Sequence, residues 1–274
     1  MTDKQTNEAV LLIGAGRMGG ALIKGWIGTG KFSAIHVVEP SPAPEIQLLA
    51  RDKAIHLHGA FASDIPDVAA IVLALKPQVL KAESGLLAAL GKRDALVLSI
   101  AAGVTTAALA AGLGSKARLV RAMPNTPGAI GKGITVLYAA AGLAAADRAR
   151  AENLMAALGQ TLWLTDEKLM DAVTAVSGSG PAYIFLLVEA LAAAARAQGL
   201  DEATAEKLAR ATVAGAGALL DADSRAASLL RKDVTSPGGT TEAALNVLMA
   251  PDGLEALMKR AIDAATKRGK ELGK

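Results

Sequence analysis

Six residues near the start of the chain, Gly14-Ala15-Gly16-Arg17-Met18-Gly19, have the spacing G-x-G-x-x-G. They follow an apolar run, Ala9-Val10-Leu11-Leu12-Ile13, and open a segment of helical character from Met18 to Ile27. The chemistry such a loop supports is anion binding. Gly14 permits a tight turn, Gly16 lets the backbone approach a pyrophosphate, and Gly19 allows close helix-to-strand packing while the helix amides face the anion. Glu39 ends a second β-type run, Ile35-His36-Val37-Val38, twenty residues beyond Gly19, where it can accept hydrogen bonds from ribose hydroxyls. Strand, glycine loop, helix and distal acid together separate a dinucleotide site from an ordinary glycine-rich turn. Ile13, Gly14, Ala15, Gly16, Arg17, Met18 and Gly19 are therefore candidate cofactor contacts, and nicotinamide and flavin both stay open on this pattern. Glu39 repels a 2′-phosphate and favours NADH, whereas Ser41 can hold one, so NAD and NADP are both kept.

Further loops fall where strand ends would face the same ligand. Leu75-Lys76-Pro77 and Ala101-Ala102-Gly103 each follow an apolar run, and Met123-Pro124-Asn125-Thr126-Pro127 follows another. Ligands of open α/β sheets bind at such ends, which adds Leu75, Lys76, Pro77, Ala101, Ala102, Gly103 and Asn125 to the cofactor candidates. In the second half, Val176-Ser177-Gly178-Ser179-Gly180-Pro181 joins two helical stretches, and Thr235-Ser236-Pro237-Gly238-Gly239-Thr240-Thr241 precedes a third. Both combine glycine, hydroxyls and a helix start, a set that offers backbone N–H groups to a small carboxylate. Helix capping by Ser and Thr is the plainer use of each taken singly.

The elements that must position these residues alternate in the first half. After the opening strand–helix–strand come strands at Ala70–Leu75, Leu96–Ile100, Arg118–Val120 and Ile134–Tyr138, with helices at Val79–Leu90 and Thr105–Ala111. That order predicts a parallel, helix-covered sheet. Past Leu164 the β-type runs stop and long helical stretches follow, from Asp166–Val176 and Pro181–Ala197 to Gly253–Glu271. The reading is α/β plus all-α: a Rossmann-like dinucleotide-binding domain over 1–164, then an all-helical domain over 165–274.

Composition removes several alternatives. The 274 residues contain no cysteine, which excludes disulfides, thiolate nucleophiles and cysteine-ligated metals. The three histidines, His36, His56 and His58, lack the spacing of a helical zinc pair, and no metal site is expected. A net charge of +3 with 3% aromatic residues fits nucleic-acid binding poorly. The polar N-terminus lacks the features of a signal peptide, so the expected compartment is the cytoplasm. Ala95–Ser115 is long and uncharged but reads as strand, turn and helix. Ala182–Ala195, broken by Glu189, reads as a buried helix of a helical core. No membrane association is expected.

The segment Val234-Thr235-Ser236-Pro237-Gly238-Gly239-Thr240-Thr241-Glu242-Ala243-Ala244-Leu245 resembles the C-terminal motif of pyrroline-5-carboxylate reductases. The resemblance extends through Ser177-Gly178-Ser179-Gly180-Pro181-Ala182-Tyr183, Arg121-Ala122-Met123-Pro124-Asn125-Thr126-Pro127 and the glycine loop, in the family's order. It implies hydride transfer from NADPH or NADH to the C=N carbon of 1-pyrroline-5-carboxylate, giving L-proline. It implies a substrate site at Ser179, Gly180, Ser236, Gly238, Gly239, Thr240 and Thr241, with the Thr241 hydroxyl near the ring nitrogen as the catalytic group. It also implies dimers through the C-terminal helices, in some members stacked further. The motif holds no arginine clamp for the carboxylate, which leaves Arg121 and Lys76 as candidate distant helpers.

Two other functions fit parts of the pattern. A β-hydroxyacid dehydrogenase uses a lysine on the first long helix after the domain junction, yet no lysine follows Gly180 until Lys207. A non-catalytic dinucleotide sensor accounts for the first half but gives no role to the hydroxyl-rich Ser236–Thr241 loop.

Overall fold

A computed structural model describes residues 8–272; Met1–Asn7, read above for targeting signals, lie outside them. Residues up to Gly178, with those from Thr266, form one compact unit, and Ser179–Ala265 form a second. The first opens with β1 (Glu8–Ile13), α1 (Arg17–Thr29), β2 (Phe32–Val38), α2 (Pro44–Arg51), β3 (His56–His58) and β4 (Ala70–Leu73). It continues with α3 (Pro77–Ala82), α4 (Ser84–Leu90), β5 (Leu96–Ser99), α5 (Thr106–Leu113) and β6 (Arg118–Met123). Then come β7 (Gly133–Tyr138), α6 (Ala145–Met155), β8 (Gly159–Trp163) and the short α7 (Met170–Val173).

These strands make one eight-stranded sheet in the order β3-β2-β1-β4-β5-β6-β7-β8. The neighbours pair in parallel except β6 with β7. The expectation of a wholly parallel sheet is corrected at that pair. Only a 3-10 turn, Thr126–Ile130, separates the two strands, and so short a return can make an antiparallel neighbour but not a parallel crossover. The chain leaves β1 in one direction for β2 and in the other for β4, so the gap beyond the C-terminal ends of β1 and β4 is the crevice where such sheets hold ligands.

Both faces of the sheet are covered, which is why its strands read as near-continuous apolar runs. Val10 and Leu12 of β1 pack with Leu22, Ile23 and Trp26 of α1, while Leu11 and Ile13 face Leu80, Leu87 and Leu90 on the other side. Ala95–Ser115 resolves into β5, a turn and α5, as its pattern predicts. The expected helix Val79–Leu90 is two helices interrupted at Glu83.

The second unit consists of α8 (Gly180–Ala197), α9 (Glu202–Ala222), α10 (Ala227–Asp233), α11 (Thr240–Leu248) and the greater part of α12 (Leu254–Leu272). The expectation of a buried α8 is overturned: Ala192 is its one buried residue. Phe185 and Leu186 are each 63% exposed. Helix α9 runs along α8 but is itself Ala-rich, and small side chains cover little of a neighbour's surface. Among the described residues, Glu167–Ala197 is the one helical run long and apolar enough to cross a membrane.

Candidate active site

The glycine loop sits at the sheet's crevice. Gly14 N–H donates to the Val38 carbonyl, and its φ of +95° suits glycine. A Cβ there would also stand 2.7 Å from the Ala74 carbonyl oxygen. A Cβ on Gly19 would collide with the Gly14 carbonyl oxygen, so α1 can approach the loop only because that position is bare. Around Gly16, by contrast, a Cβ would meet nothing within 4 Å. No side chain caps α1 and no acid stands in its first turn, which leaves its N-terminal amides and positive dipole end open to an anion. Arg17 and Ser41 are exposed beside this loop and Met18 is half-buried.

Glu39 has a role that its spacing does not disclose. Its carboxylate accepts from Ala15 N–H at 2.8 Å and from Ser41 N–H at 3.0 Å, so it braces the glycine loop against the turn after β2. Its negative charge remains at the mouth of the crevice. Beyond the ends of β1 and β2 lies a cavity of about 630 Å³ lined by Ile13, Gly14, Val38, Glu39, Pro40, Leu75 and the apolar side chains of Phe61, Val79 and Leu86. Uncapped helix amides, open space at Gly16, a carboxylate for ribose and an apolar wall for a base fit a dinucleotide.

Lys76 is exposed at the start of α3, with Pro77 in the first turn. Ala101 is buried, Ala102 exposed and Gly103 half-buried in the turn after β5. These residues all follow the C-terminal ends of β4 and β5. Asn125 is more committed. Its amide donates to the Ser177 carbonyl at 3.1 Å and its oxygen accepts from Ile134 N–H at 2.9 Å, so the side chain mainly fastens its own loop. Ser177 belongs to a π-helical segment, Thr174–Gly178, a distortion found often at functional sites.

Arg121 is not a free clamp for a carboxylate. It is 5% exposed and its guanidinium donates to Glu167 at 3.1 Å. Glu167 also accepts from Thr106 N–H at 2.8 Å and from the Thr106 hydroxyl at 2.7 Å. This cluster was missed in the sequence, because Glu167 is far from both partners along the chain and belongs to no motif. Phe61, Val79 and Leu86 were missed too. Phe61 follows β3, which with its two polar histidines in three residues does not read as a strand, and Val79 and Leu86 lie inside α3 and α4, where an apolar helix residue reads as core.

The second unit carries the remaining candidates. Ser179 and Gly180 start α8 with no side-chain cap. Gly239 is the N-cap of α11, also without one, so the Thr240 and Thr241 amides are open at a helix N-terminus. Gly238 N–H is already taken, at 2.8 Å, by the Glu242 carboxylate. Ser236, Gly238 and Thr240 are exposed and Gly239 and Thr241 half-buried. Among the described residues no cluster of three acids or histidines could hold a metal ion.

A Rossmann-type sheet carrying an open glycine loop, followed by a helical unit with an uncapped hydroxyl-rich helix start, defines the class of two-part dinucleotide-dependent oxidoreductases. Comparison with known proteins narrows the class. Residues 167–272 match the family model described as pyrroline-5-carboxylate reductase dimerisation, and residues 9–103 match that of NADP oxidoreductase coenzyme F420-dependent. A pyrroline-5-carboxylate reductase of Pseudomonas aeruginosa is 42% identical over 96% of both chains. The solved pyrroline-5-carboxylate reductase of Coxiella burnetii superposes with a TM-score of 0.89 at 37% identity, covering 99% of this chain and 100% of that one. The pyrroline carboxylate reductase of Plasmodium falciparum, solved with NADP bound, shares the fold with a TM-score of 0.76 at 24% identity, over 98% and 100% of the two chains. The chain belongs to the pyrroline-5-carboxylate reductase family.

Proposed function

We propose that this chain reduces 1-pyrroline-5-carboxylate to L-proline, the last step of proline biosynthesis, with reduced NADP or NAD. The observation that carries the reading is full-length likeness to curated reductases of that name, on a chain whose glycine loop leaves helix amides and space for a pyrophosphate. The bound coenzyme supplies the hydride. Residues 13–19, Glu39, Ser41, 75–77, 101–103 and Asn125 hold it, Asn125 chiefly by fixing its loop.

Residues 165–274 serve as the substrate and dimerisation domain. Ser179, Gly180, Ser236, Gly238, Gly239 and Thr240 form the substrate site, with the carboxylate gripped by main-chain amides at the start of α11. The helix dipole there contributes modestly, about 0.3–1 kcal/mol, so geometry rather than charge carries specificity. Thr241 orients the ring nitrogen. A cyclic imine accepts hydride best when protonated, and because water can supply that proton, Thr241 needs to position and relay rather than act as a strong acid.

The working form is a homodimer or larger ring assembled through the C-terminal helices, whose exposed Phe185, Leu186 and Leu187 cover a second copy. We assign the α8 part of the 167–197 run to that contact rather than to lipid, since a 3-10 turn, a π-helical segment, Gly178 and Pro181 interrupt the run. The proposed compartment is the cytoplasm, with no nucleic-acid partner.

The test is consumption of NADH and NADPH with and without racemic 1-pyrroline-5-carboxylate. Substrate-dependent oxidation is expected; coenzyme binding without it would favour a sensor. Thr241→Ala is expected to lower kcat by about a hundredfold with little change in coenzyme Kd, and wild-type turnover would remove Thr241 from the mechanism.

A further inference from the structure

Two of the loops assigned to the coenzyme leave the neighbouring strands β5 and β6, whose pairing ends at Ser99 and Arg121. Ala101–Gly103 follows β5 and leads into α5, which begins at Thr106. Met123–Asn125 ends β6, two residues beyond Arg121. The Glu167 carboxylate touches neither loop but joins the residues just past one and just before the other, Thr106 and Arg121. One oxygen accepts from Thr106 N–H and from the Arg121 guanidinium, and the other accepts from the Thr106 hydroxyl.

Three features make this a strut rather than a surface pair. Arg121 is buried, so its charge has little water to turn to if Glu167 is lost. Thr106 is the first residue of α5, so its N–H is one of the helix's orphan donors and Glu167 satisfies it. The turn that presents Glu167 is itself fastened, because Asp166 accepts from Lys168 N–H at 3.0 Å. Gly103 and Thr105 line the same small cavity, about 280 Å³, as Arg121 and Glu167.

We infer that Glu167 is a positioning residue that fixes the Ala101–Gly103 and Met123–Asn125 loops in register with each other, and so sets the coenzyme's seat without touching it. This rests on the proposed assignment of those loops to the coenzyme, but the tie between them can be tested without coenzyme. Glu167→Ala removes both acceptor oxygens at once, leaving Thr106 N–H and the buried Arg121 guanidinium without that acceptor.

The experiment is hydrogen exchange on the protein alone, followed by steady-state kinetics. In Glu167→Ala the amides of Ala108 and Leu109, which bond back to Thr105 just past the first loop, and of Ile134, which bonds to Asn125 of the second, are expected to exchange at least about tenfold faster, with those of Leu11, Leu12 and Val37 unchanged. The coenzyme KM is expected to rise about tenfold with the pyrroline KM held. Exchange at wild-type rates beside both loops would overturn the proposal, as would acceleration spread evenly over the sheet, the mark of general destabilisation. Should Glu167→Ala not fold, Thr106→Val removes only the hydroxyl bond and leaves the ion pair. Faster exchange confined to Ala108 and Leu109 supports the strut, and no change there overturns it. Because exchange is read on the free protein, lack of turnover with the pyrroline would fail the functional reading alone.

Discussion

Along β1, Val10, Leu11, Leu12 and Ile13 are no more than 3% exposed, whereas along α8 the only buried residue is Ala192 and Phe185 and Leu186 are 63% exposed. The two segments have similar apolar content and opposite fates. Sheet strands are covered on both faces by helices of their own chain, so the first unit completes its core alone. The second unit lacks a second layer, and α10, α11 and α12 have no buried residue at all. Contiguous exposed apolar surface of this kind marks an interaction face. One unit thus buries its apolar residues within the chain, and the other leaves them on the face proposed above to meet a second copy.

The largest expected effect breaks that contact. Phe185→Lys combined with Leu186→Lys removes two large apolar side chains from the proposed contact. Burying such side chains contributes about 1.5–3 kcal/mol each, so dimer affinity should weaken by roughly two to four decades. Sedimentation should show single chains with little proline formation, while coenzyme still binds. Unaltered assembly would refute the contact.

A smaller effect sharpens the contrast. Leu11→Ala in the sheet core should cost about 2–5 kcal/mol at any protein concentration. Leu187→Ala on α8, 44% exposed in one chain, should cost stability only where chains are concentrated enough to associate. Urea unfolding at two protein concentrations distinguishes them.

The smallest effect is one of pH. His36 is buried on β2, its Nδ1 3.2 Å from His58 Nε2 and its ring stacked on His56 with centroids 4.8 Å apart. Burial first, then these two neighbours, holds its imidazole below the ordinary value of 6.5. The unfolded chain therefore binds more protons in the window below 6.5, and stability falls as pH drops through it. The second unit contains no histidine, so a melting profile at pH 5.5 against pH 7.5 should move the transition of the sheet unit. Replacing His36 with leucine should remove that movement, and a pH response that survives the change would place its source elsewhere.

Legibility in the sequence follows the same division. The glycine loop, β1, β2, β4, β5 and the long helices were readable because each carries a strong local period or a turn residue that only one geometry satisfies. Helix α2 was passed over although Pro44 at its start and Glu45 in its first turn are start signals. Strand β8 was missed because its residues alternate between half-buried and exposed positions with no fully buried residue. What local pattern cannot carry is pairing across the chain: the brace from Glu39 to Ala15, the Asn125 ties and the Glu167 cluster join residues far apart in sequence. For the same reason α8 read as core. Its composition is that of a buried helix, and no local pattern says that its own chain leaves it uncovered. The compact units also divide after Gly178 rather than after Leu164, since Met170 and Ala175 are buried and Glu167 and Ser177 bond to residues of the first unit.

Isotope transfer tests whether hydride passes directly to the imine carbon. Reduced coenzyme carrying deuterium on the transferable side of nicotinamide C4 is incubated with the protein and unlabelled 1-pyrroline-5-carboxylate, and the product is analysed by mass spectrometry. L-proline is expected with one deuterium on the ring carbon next to nitrogen and away from the carboxylate. Coenzyme oxidised with no label in proline, or with no proline formed, would contradict direct transfer.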